Sequence, residues 1–244
     1  MASSEKDKIY ASKQDKVHDF IFDDTVAQVF PDMIQRSVPG YQELNQLLPV
    51  VANQFIKSNL NVYDLGCSLG EACISIAKSI EAKDIKIFAI DNPKAMVVRL
   101  NDKIKQLELE DIVSVKQEDI TEVKINNACF VVLNYTLQFI DRNKRENLLN
   151  SISSGMNKGG ALLLSEKITF EDAEEDNLMQ KLHENYKRKN EYSEMEISQK
   201  REALENVLIR DTHEQHIQRM KNAGFSKISI LSRYLNFVSY LAIK

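Results

Sequence analysis

The stretch "NVYDLGCSLGEACISIA", residues 61–77, decides the fold, because it runs from a short apolar segment through two glycines into a helical pattern. Its first five residues have the composition of a β-strand, and Gly66 follows them directly. Beyond this glycine, apolar residues recur at the spacing of a helix that packs on a sheet, at Cys73, Ile76, Ala77 and Ile80. The stretch therefore predicts a strand, a tight turn and a helix.

Strand-like runs alternate with helical patterns as far as residue 165 of the chain. The five runs are "NVYDL", "IKIFAI", "IVSVKQ", "ACFVVLN" and "ALLLSE". This alternation predicts a parallel sheet with crossover helices. One helix is expected from Asp141 to Ser154 with Gly155 as its stop, and the pair Gly159 and Gly160 is expected to turn the chain into the fifth strand.

The C-terminal residues 223–244 contain two further strand-like runs with a connection too short for a parallel crossover, which predicts an antiparallel pair at the sheet edge. The predicted fold class is α/β, a doubly wound, Rossmann-like sheet that is mostly parallel. We expect one domain over residues 1–244. Residues 1–60 are interpreted as an N-terminal helical lid and residues 171–210 as a helical insertion, and both are candidates for pocket walls or dimer contacts.

Composition excludes several classes of protein. A chain of 244 residues with 43% hydrophobic residues can bury one sizeable core. Its net charge of -4 gives no global reason to bind a polyanion, so we expect no direct nucleic-acid binding. No apolar run approaches the roughly 18 residues of a membrane span, and we expect a cytoplasmic protein. The three cysteines indicate neither a disulfide framework nor a zinc site, and we expect no metal.

The glycine turn lies where an open parallel sheet binds its ligand, beyond the carboxyl ends of the strands. A dinucleotide fingerprint would require glycine at positions 66, 68 and 71, but the chain has Ser68 and Glu71. The motif D-x-G-x-S-x-G from Asp64 to Gly70 instead resembles motif I of class I S-adenosylmethionine-dependent methyltransferases, with Ser68 in place of the middle glycine. Taken alone, the motif is equally consistent with a simple strand-to-helix turn.

Acids follow the next two strands. Asp91 ends the second strand, where a carboxylate can accept hydrogen bonds from both ribose hydroxyls of a nucleoside. Asp119 follows the third strand, and in the methyltransferases an acid there accepts the adenine amino group. Either could instead be a solvated loop acid or a helix cap. Together with Asp64 they favour a sulfonium cation, so the turn is predicted to hold S-adenosyl-L-methionine.

The fourth strand and the histidines narrow the chemistry. Asn134 ends the run "VVLNYTLQF", which lacks the prolines typical of nitrogen-directed methyltransferases. All four histidines fall in the flanking segments and are interpreted as surface or interface residues, namely His18, His183, His213 and His216. We therefore assign no general base.

A cation is expected on an apolar helix face near residue 200. Ser193 and Glu196 form a capping-box pattern, and the helix they start would place Arg201 on one face with Ile197, Leu204 and Leu208. A guanidinium there must extend to solvent, pair with a buried acid or meet an anionic ligand. In the N-terminal segment, Pro39 and Gly40 form a corner that could place the Tyr41 hydroxyl over a pocket, and Arg36 is expected to form a structural ion pair.

The whole chain resembles the carboxy-S-adenosyl-L-methionine synthases, a family with the class I methyltransferase fold. The resemblance rests on "FDDTVAQVFPDMIQRSVPGY", "VYDLGCSLGEA", "AIDNPKAM", "VVLNYTLQF", "GGALLLSEKITFEDA" and "YSEMEISQKREALENV". It implies conversion of S-adenosyl-L-methionine and prephenate to carboxy-S-adenosyl-L-methionine and phenylpyruvate. It further implies a homodimer that supplies a tRNA carboxymethyltransferase acting at the wobble uridine.

The resemblance also implies a set of ligand-binding residues: Tyr41, Gly66, Cys67, Ser68, Asp91, Asn92, Asp119, Ile120, Asn134 and Arg201. Arg201 would clamp the carboxyl group added to the sulfonium methyl, from its own or a neighbouring subunit. Two alternatives stay open, a methyltransferase acting on a small carboxylate and a non-catalytic subunit that binds S-adenosyl-L-methionine.

Overall fold

The computed structural model describes residues 5–244, so the first four residues of the predicted lid lie outside the described part. Within this range one sheet contains the strands β1 Asn61–Leu65, β2 Lys86–Asp91, β3 Val113–Gln117, β4 Ala128–Asn134, β5 Met156–Lys167, β6 Lys227–Tyr234 and β7 Phe237–Ile243. Their order across the sheet is β3-β2-β1-β4-β5-β7-β6. The pairs among β1 to β5 are parallel, which confirms the predicted parallel sheet.

Helices cover the sheet and its carboxyl-end edge. They are α1 Asp24–Ser37, α2 Tyr41–Asn53, α3 Glu71–Ser79, α4 Lys94–Gln106, α5 Arg142–Gly155, α6 Ala173–Lys189, α7 Glu194–Leu204 and α8 His213–Asn222, with a short 3-10 helix Leu137–Phe139. The predicted helices after β1 and β4 are therefore confirmed. Asp141 accepts a hydrogen bond from the Asn143 backbone N–H at 3.0 Å and so caps α5.

The core lies on both faces of the sheet because alternate side chains of each central strand point to opposite sides. In β4, Val132 packs in a cluster with Leu44 of α2 and Ile76 of α3. Its neighbours Val131 and Leu133 belong to a second cluster, which includes side chains of α5 and α8. The chain order reverses at β1, which lies between β2 and β4, and this switch point is where a doubly wound sheet forms its ligand crevice.

The C-terminal strands form the predicted antiparallel pair at the sheet edge. β7 lies between β5 and β6 and is antiparallel to both. Phe237, the first residue of β7, is the register partner of Lys167, the last residue of β5. The amino end of β7 therefore lies at the same edge of the sheet as the carboxyl end of β5.

The predicted role of Gly159 and Gly160 is wrong. The chain passes from α5 directly into β5 at Met156, so both glycines lie inside a strand. Gly159 has a φ of +82°, and a Cβ on Gly160 would lie 2.9 Å from the Cys129 carbonyl oxygen. They occupy an irregularity in the β4–β5 pairing, where the two backbones approach closely.

Candidate active site

A cavity of about 570 Å³ opens beyond the carboxyl ends of β1 to β5. This volume falls in the roughly 300–1,000 Å³ range of small-molecule sites. Each of the five strands contributes at least one side chain or backbone turn to its lining. In sheet order these are Asp119 after β3, Asp91 of β2, Gly66 after β1, Asn134 of β4 and Lys167 of β5. The carboxylates Asp91 and Asp119 thus lie at the β2 and β3 end, which we call the acidic end although Lys144 of α5 also lines the cavity near Asp119, and Lys167 marks a basic end at β5.

The glycine turn after β1 depends on backbone conformations that glycine adopts easily. Gly66 has a φ of +76°, and a Cβ there would lie 2.3 Å from the Thr136 Cγ2. Ser68 has a φ of +49°, so this residue stands in the left-handed region where the related motif has glycine. Gly66, Cys67 and Ser68 all line the cavity. The turn thus exposes backbone rather than bulky side chains to a ligand.

The Asp91 carboxylate is fixed by the same turn. Its Oδ2 accepts a hydrogen bond from the Ser68 backbone N–H at 2.7 Å, and its Oδ1 accepts one from the Asn92 N–H at 2.9 Å. Burial raises the pKa of this carboxyl, and the two backbone hydrogen bonds oppose the rise. Each oxygen keeps a further lone pair that could accept a hydroxyl. The geometry suits a ribose diol.

Asp64 is buried and lies behind the turn. Its Oδ2 accepts a hydrogen bond from the Cys73 backbone N–H at 3.0 Å, in the first turn of α3. Burial raises the pKa of this carboxyl to about 7. Asp64 lines the cavity, yet its hydrogen bond serves mainly to hold α3 against β1.

Asp119 and Ile120 form the outer acidic end of the cavity. Asp119 Oδ1 accepts hydrogen bonds from the Thr121 N–H at 2.9 Å and the Thr121 hydroxyl at 2.8 Å. The backbone hydrogen bond from Thr121 is the main cause that lowers the pKa of Asp119. Ile120 is buried beside it and presents an apolar surface to the cavity. An acceptor beside an apolar side chain suits a flat heterocycle that carries an amino group.

Asn134 and Tyr41 line the middle of the cavity. The buried Oδ1 of Asn134 has no hydrogen-bond partner within residues 5–244, although such an atom is costly to leave unpaired. A donor on a ligand, such as the ammonium group of S-adenosyl-L-methionine, would satisfy it. Tyr41 begins α2 directly after Gly40, whose φ is +79°, and it is buried in the cavity wall. Burial raises the pKa of its hydroxyl.

Three lysines in the described chain line the basic end: Lys167, Lys187 and Lys200. Lys187 and Lys200 are buried, and Lys167 is half-buried. Burial lowers the pKa of each ammonium group, to about 7 for Lys167, about 8 for Lys187 and about 7 for Lys200. Neighbouring cations lower all three values further. Sequence analysis missed these residues because lysine is most often a solvated surface residue.

The predicted orientation of Arg201 is wrong. Its side chain is 58% exposed, and its Nη1 donates to Glu184 Oε1 at 2.9 Å, outside the cavity lining. The buried face of α7 instead contains Glu196, Ile197, Gln199, Lys200 and Ala203. Leu208 lies beyond the end of α7. The prediction assumed that the apolar residues of α7 mark its buried face, whereas the buried face is largely polar.

Polar residues are buried on α7 because the N-terminal segment supplies their partners. Gln199 Nε2 donates to the carbonyl oxygens of Tyr10 and Ser12, both at 2.9 Å. Lys200 Nζ lies 3.1 Å from the Ser37 hydroxyl and 3.6 Å from Asp7 Oδ2. No local pattern in α7 reveals contacts with residues that lie about 160 to 190 positions away in the chain. The buried face of α7 is therefore rotated by about one residue from the predicted face, so that Lys200 occupies the place expected for Arg201.

The histidine prediction holds for His18, which is exposed, but is wrong for His183 and His216, which are buried. His183 lines the cavity, and its Nε2 lies 2.7 Å from the Ser37 carbonyl oxygen, so this nitrogen donates. Burial, with the nearby lysines, holds the pKa of His183 well below its usual range. The ring is thus neutral at pH 7.

The structural ion pair predicted for Arg36 is confirmed. Its Nη1 lies 3.1 Å from Asp32 Oδ2, and its Nε donates to the Asn190 carbonyl oxygen at 2.7 Å. Its guanidinium also lies 3.9 Å from the centroid of the Tyr192 ring. Arg36 therefore ties α1 to the loop between α6 and α7, and does not line the cavity.

No helix among residues 5–244 combines the length and the apolar character needed to cross a membrane.

The methyltransferase-domain family matches residues 56–223. Carboxy-S-adenosyl-L-methionine synthase of Yersinia pestis (strain Pestoides F) is 44% identical over 243 residues, which is 100% of this chain and 91% of that protein.

Solved structures share the fold at much lower identity. An O-methyltransferase family protein from Burkholderia thailandensis gives a TM-score of 0.62 at 14% identity, and covers 91% of this chain and 60% of that one. Human N-acetylserotonin methyltransferase in complex with SAM gives 0.60 at 16% identity, and covers 91% and 55%. The chain spans less than two thirds of either neighbour, and these likenesses establish the methyltransferase fold alone.

Proposed function

The chain belongs to the carboxy-S-adenosyl-L-methionine synthase family, and we propose that it converts S-adenosyl-L-methionine and prephenate to carboxy-S-adenosyl-L-methionine and phenylpyruvate. Family membership makes the protein a transferase that uses S-adenosyl-L-methionine. Beyond family membership, we propose that the co-substrate is prephenate. This proposal is supported by the two-ended charge of the cavity.

The observation that carries this proposal is the placement of opposite charges along one cavity. Asp91 and Asp119 favour a cationic nucleoside at the ends of β2 and β3. Lys167 and its neighbours favour an anion at the end of β5. A site for the sulfonium alone would gain nothing from buried cations, since they repel it. A second, anionic reactant gives those cations a function.

Individual roles follow from the geometry and the family resemblance. We assign Asp91 and Asn92 to the ribose hydroxyls, and Asp119 and Ile120 to the adenine. The turn Gly66, Cys67 and Ser68, with Tyr41 and Asn134, would hold the methionine portion. All of these residues line the cavity. Arg201, which the resemblance also implicates, does not.

When bound, S-adenosyl-L-methionine supplies a methyl group made acidic by the positive sulfur. Overall, that methyl group loses a proton and gains the carbon dioxide that prephenate releases, and the hydroxyl leaving prephenate becomes water with that proton. We assign no side chain as the base. The contribution of the chain is then to hold the reactants together and to exclude water, with residues 5–60 as lid and residues 171–210 as a wall that packs against it.

Arg201 remains our candidate for the residue that binds the added carboxyl group, but in the cavity of a neighbouring subunit and not in its own. Because it is exposed and paired with Glu184 in the single chain, we propose that it reaches the cavity of a second subunit in a symmetric homodimer. Mixing Arg201→Ala with Asp91→Asn protein tests this arrangement. Partial recovery of activity on mixing supports a shared site, and no recovery argues that each subunit is self-contained.

In the cell, we propose that the protein works in the cytoplasm and supplies a tRNA carboxymethyltransferase with its donor for wobble uridine. The net charge of -4 is consistent with a protein that does not itself bind RNA. Its link to the tRNA enzyme would then run through the small-molecule product.

Methylation of a small carboxylate is a second candidate, because the basic end of the cavity would also serve such a substrate. Incubation with S-adenosyl-L-methionine and prephenate separates the two functions. The synthase should give a carboxylated sulfonium by mass spectrometry and no adenosylhomocysteine. Adenosylhomocysteine without carboxylated sulfonium would favour the methyltransferase.

A further inference from the structure

We propose that Lys167, Lys187 and Lys200 form a dianion subsite, which binds both carboxylates of the co-substrate and selects dicarboxylates over monocarboxylates. This inference rests on the proposed function, since it assigns the co-substrate to one end of the same cavity. The three lysines come from different elements, the end of β5, α6 and α7. Packing of the helical insertion against the sheet therefore assembles the subsite.

Sheet topology separates this subsite from the nucleoside end. β5 is separated from β2 by β1 and β4, which is three strand spacings or roughly 14 Å. A nucleoside held at Asp91 with its sulfur near Asn134 would point its methyl group toward β5. Lys167 lies at the next strand end beyond Asn134, because Ser165 is the register partner of Asn134. The lysines thus lie where a second reactant must sit.

Two of the three ammonium groups are available for an anion, because nearby acids pair elsewhere. Asp176, which lies close enough to Lys167 to raise its pKa, forms an ion pair with Arg210 at 3.1 Å. Glu184 likewise lies close enough to Lys187 to raise its pKa, and it forms an ion pair with Arg201 at 2.9 Å. Within residues 5–244, neither Lys167 nor Lys187 has a carboxylate within 4.0 Å.

Lys200 differs from the other two in being held in place. Its Nζ lies 3.1 Å from the Ser37 hydroxyl and 3.6 Å from Asp7 Oδ2. Asp7 also accepts a hydrogen bond from the Tyr192 hydroxyl at 2.6 Å, so its charge is shared. The cluster thus presents two unpaired cations and one that is partly compensated. Two carboxylates are the complement of this arrangement.

Burial of all three lysines, and repulsion of Lys167 and Lys200 by Lys187, make the cluster unfavourable without an anion. The lowered pKa values of all three lysines report this cost, with burial as the largest cause. A dianion would remove the repulsion and restore the charged forms. The subsite therefore gains binding free energy from a ligand of charge near −2, and gains less from a monoanion.

An apolar wall beside the lysines suits a co-substrate with a hydrocarbon ring. The Phe237 ring lies 5.7 Å from Lys167 Nζ, 4.9 Å from the His183 ring and 5.9 Å from the Tyr135 ring, measured to ring centroids. All four residues line the cavity. A compact ring bearing two carboxylates therefore matches the chemistry of this end better than a flexible chain does.

Calorimetry on protein saturated with adenosylhomocysteine tests the subsite without turnover. We would titrate prephenate, a dianion, and phenylpyruvate, a monoanion, into wild type, Lys167→Met and Lys187→Met. Each variant should weaken prephenate binding about 10- to 100-fold, the loss of one charge-assisted hydrogen bond, and phenylpyruvate binding by less. Adenosylhomocysteine affinity should stay within about twofold of wild type.

Matched variants separate charge from folding. Lys181→Met removes an exposed lysine of the same helix α6 that does not line the cavity, and should leave prephenate binding unchanged. Lys187→Arg keeps the charge and should retain most of the preference for the dianion. Loss of a buried, unpaired ammonium should not lower the melting temperature, which reports directly on folding.

The outcomes distinguish the subsite from the proposed function. Prephenate binding within twofold of wild type in both Lys→Met variants overturns the subsite, even if wild type makes the carboxylated product. Lysine-dependent prephenate binding without product supports the subsite and overturns the synthase reaction. Wild type that binds neither anion overturns both.

Discussion

The Arg201 guanidinium lies 2.9 Å from the Glu184 carboxylate on the outer side of the helical insertion, while its chain neighbour Lys200 is buried in the cavity wall. The two cations on α7 thus have different surroundings. In the single chain Glu184 pairs with Arg201 and Arg188. Lys187 lines the cavity and forms no ion pair with Glu184 within 4.0 Å.

Arg201→Ala should separate stability from function. Arg201 is the exposed partner of its ion pair with Glu184, so losing its side chain should change the free energy of unfolding by less than about 1 kcal/mol. If Arg201 clamps the carboxyl group of the product, affinity for carboxy-S-adenosyl-L-methionine should fall at least about tenfold, whereas affinity for S-adenosyl-L-methionine should not. Equal affinities of the variant and wild type for the product would remove Arg201 from the site.

Gly66→Ala should abolish tight binding of S-adenosyl-L-methionine. The new Cβ would lie 2.3 Å from the Thr136 Cγ2, and alanine is also strained at a φ of +76°. Gly159→Ala is the matched control, because Gly159 has a φ of +82° but nothing within 4 Å of an added Cβ. Both variants should lose about 1 kcal/mol or more of stability by urea unfolding. Only Gly66→Ala should lose ligand affinity, and similar affinity losses in both would contradict a steric role.

Asp91→Asn should weaken S-adenosyl-L-methionine about 10- to 100-fold, because the amide offers one acceptor oxygen where the carboxylate offers two. The fold should survive, since the remaining oxygen can still accept the Ser68 N–H. Asp119→Asn serves as comparison: Asp119 is exposed and should matter less. Calorimetric affinities that rank the two variants in the opposite order would place the ribose elsewhere.

Prephenate affinity should fall as the pH rises through about 7 to 8, because the subsite lysines lose their protons there. At pH 8, binding should take up protons, which appears as a dependence of the binding enthalpy on the buffer. Affinity that stays constant from pH 6 to 9 would contradict this. The charged or titratable groups that face these lysines include Asp7, Arg36, Asp176, His183, Glu184, Tyr192, Arg201 and Arg210.

Unfolding experiments alone would not isolate these lysines. Their pKa values are lowered from 10.5, so the unfolded chain binds more protons above pH 7 and their contribution to stability rises toward pH 10. Asp64 and Glu166 act in the opposite sense, because their raised pKa values, about 7 and about 8, mean that their contribution is lost as the pH rises through those values. Ligand binding is therefore the better readout.

The strand-end half of the site could be predicted because strands and their ends leave local signals. Asp91 and Asn134 each close an apolar run, and Gly66 follows one directly. The lysine half left no such signal. Lys200 is buried through contacts with Asp7 and Ser37, which only the folded chain brings near α7. The apolar periodicity consequently predicted that Arg201 faces the cavity, whereas the cation that does so is Lys200, one position earlier in the helix.

The most direct test of the central claim follows the ring carboxyl of prephenate. Wild-type protein incubated with S-adenosyl-L-methionine and prephenate that is isotopically labelled in this carboxyl should yield a carboxylated sulfonium that carries the label, together with unlabelled phenylpyruvate. Adenosylhomocysteine as the product, or a carboxylated sulfonium without the label, would contradict the account.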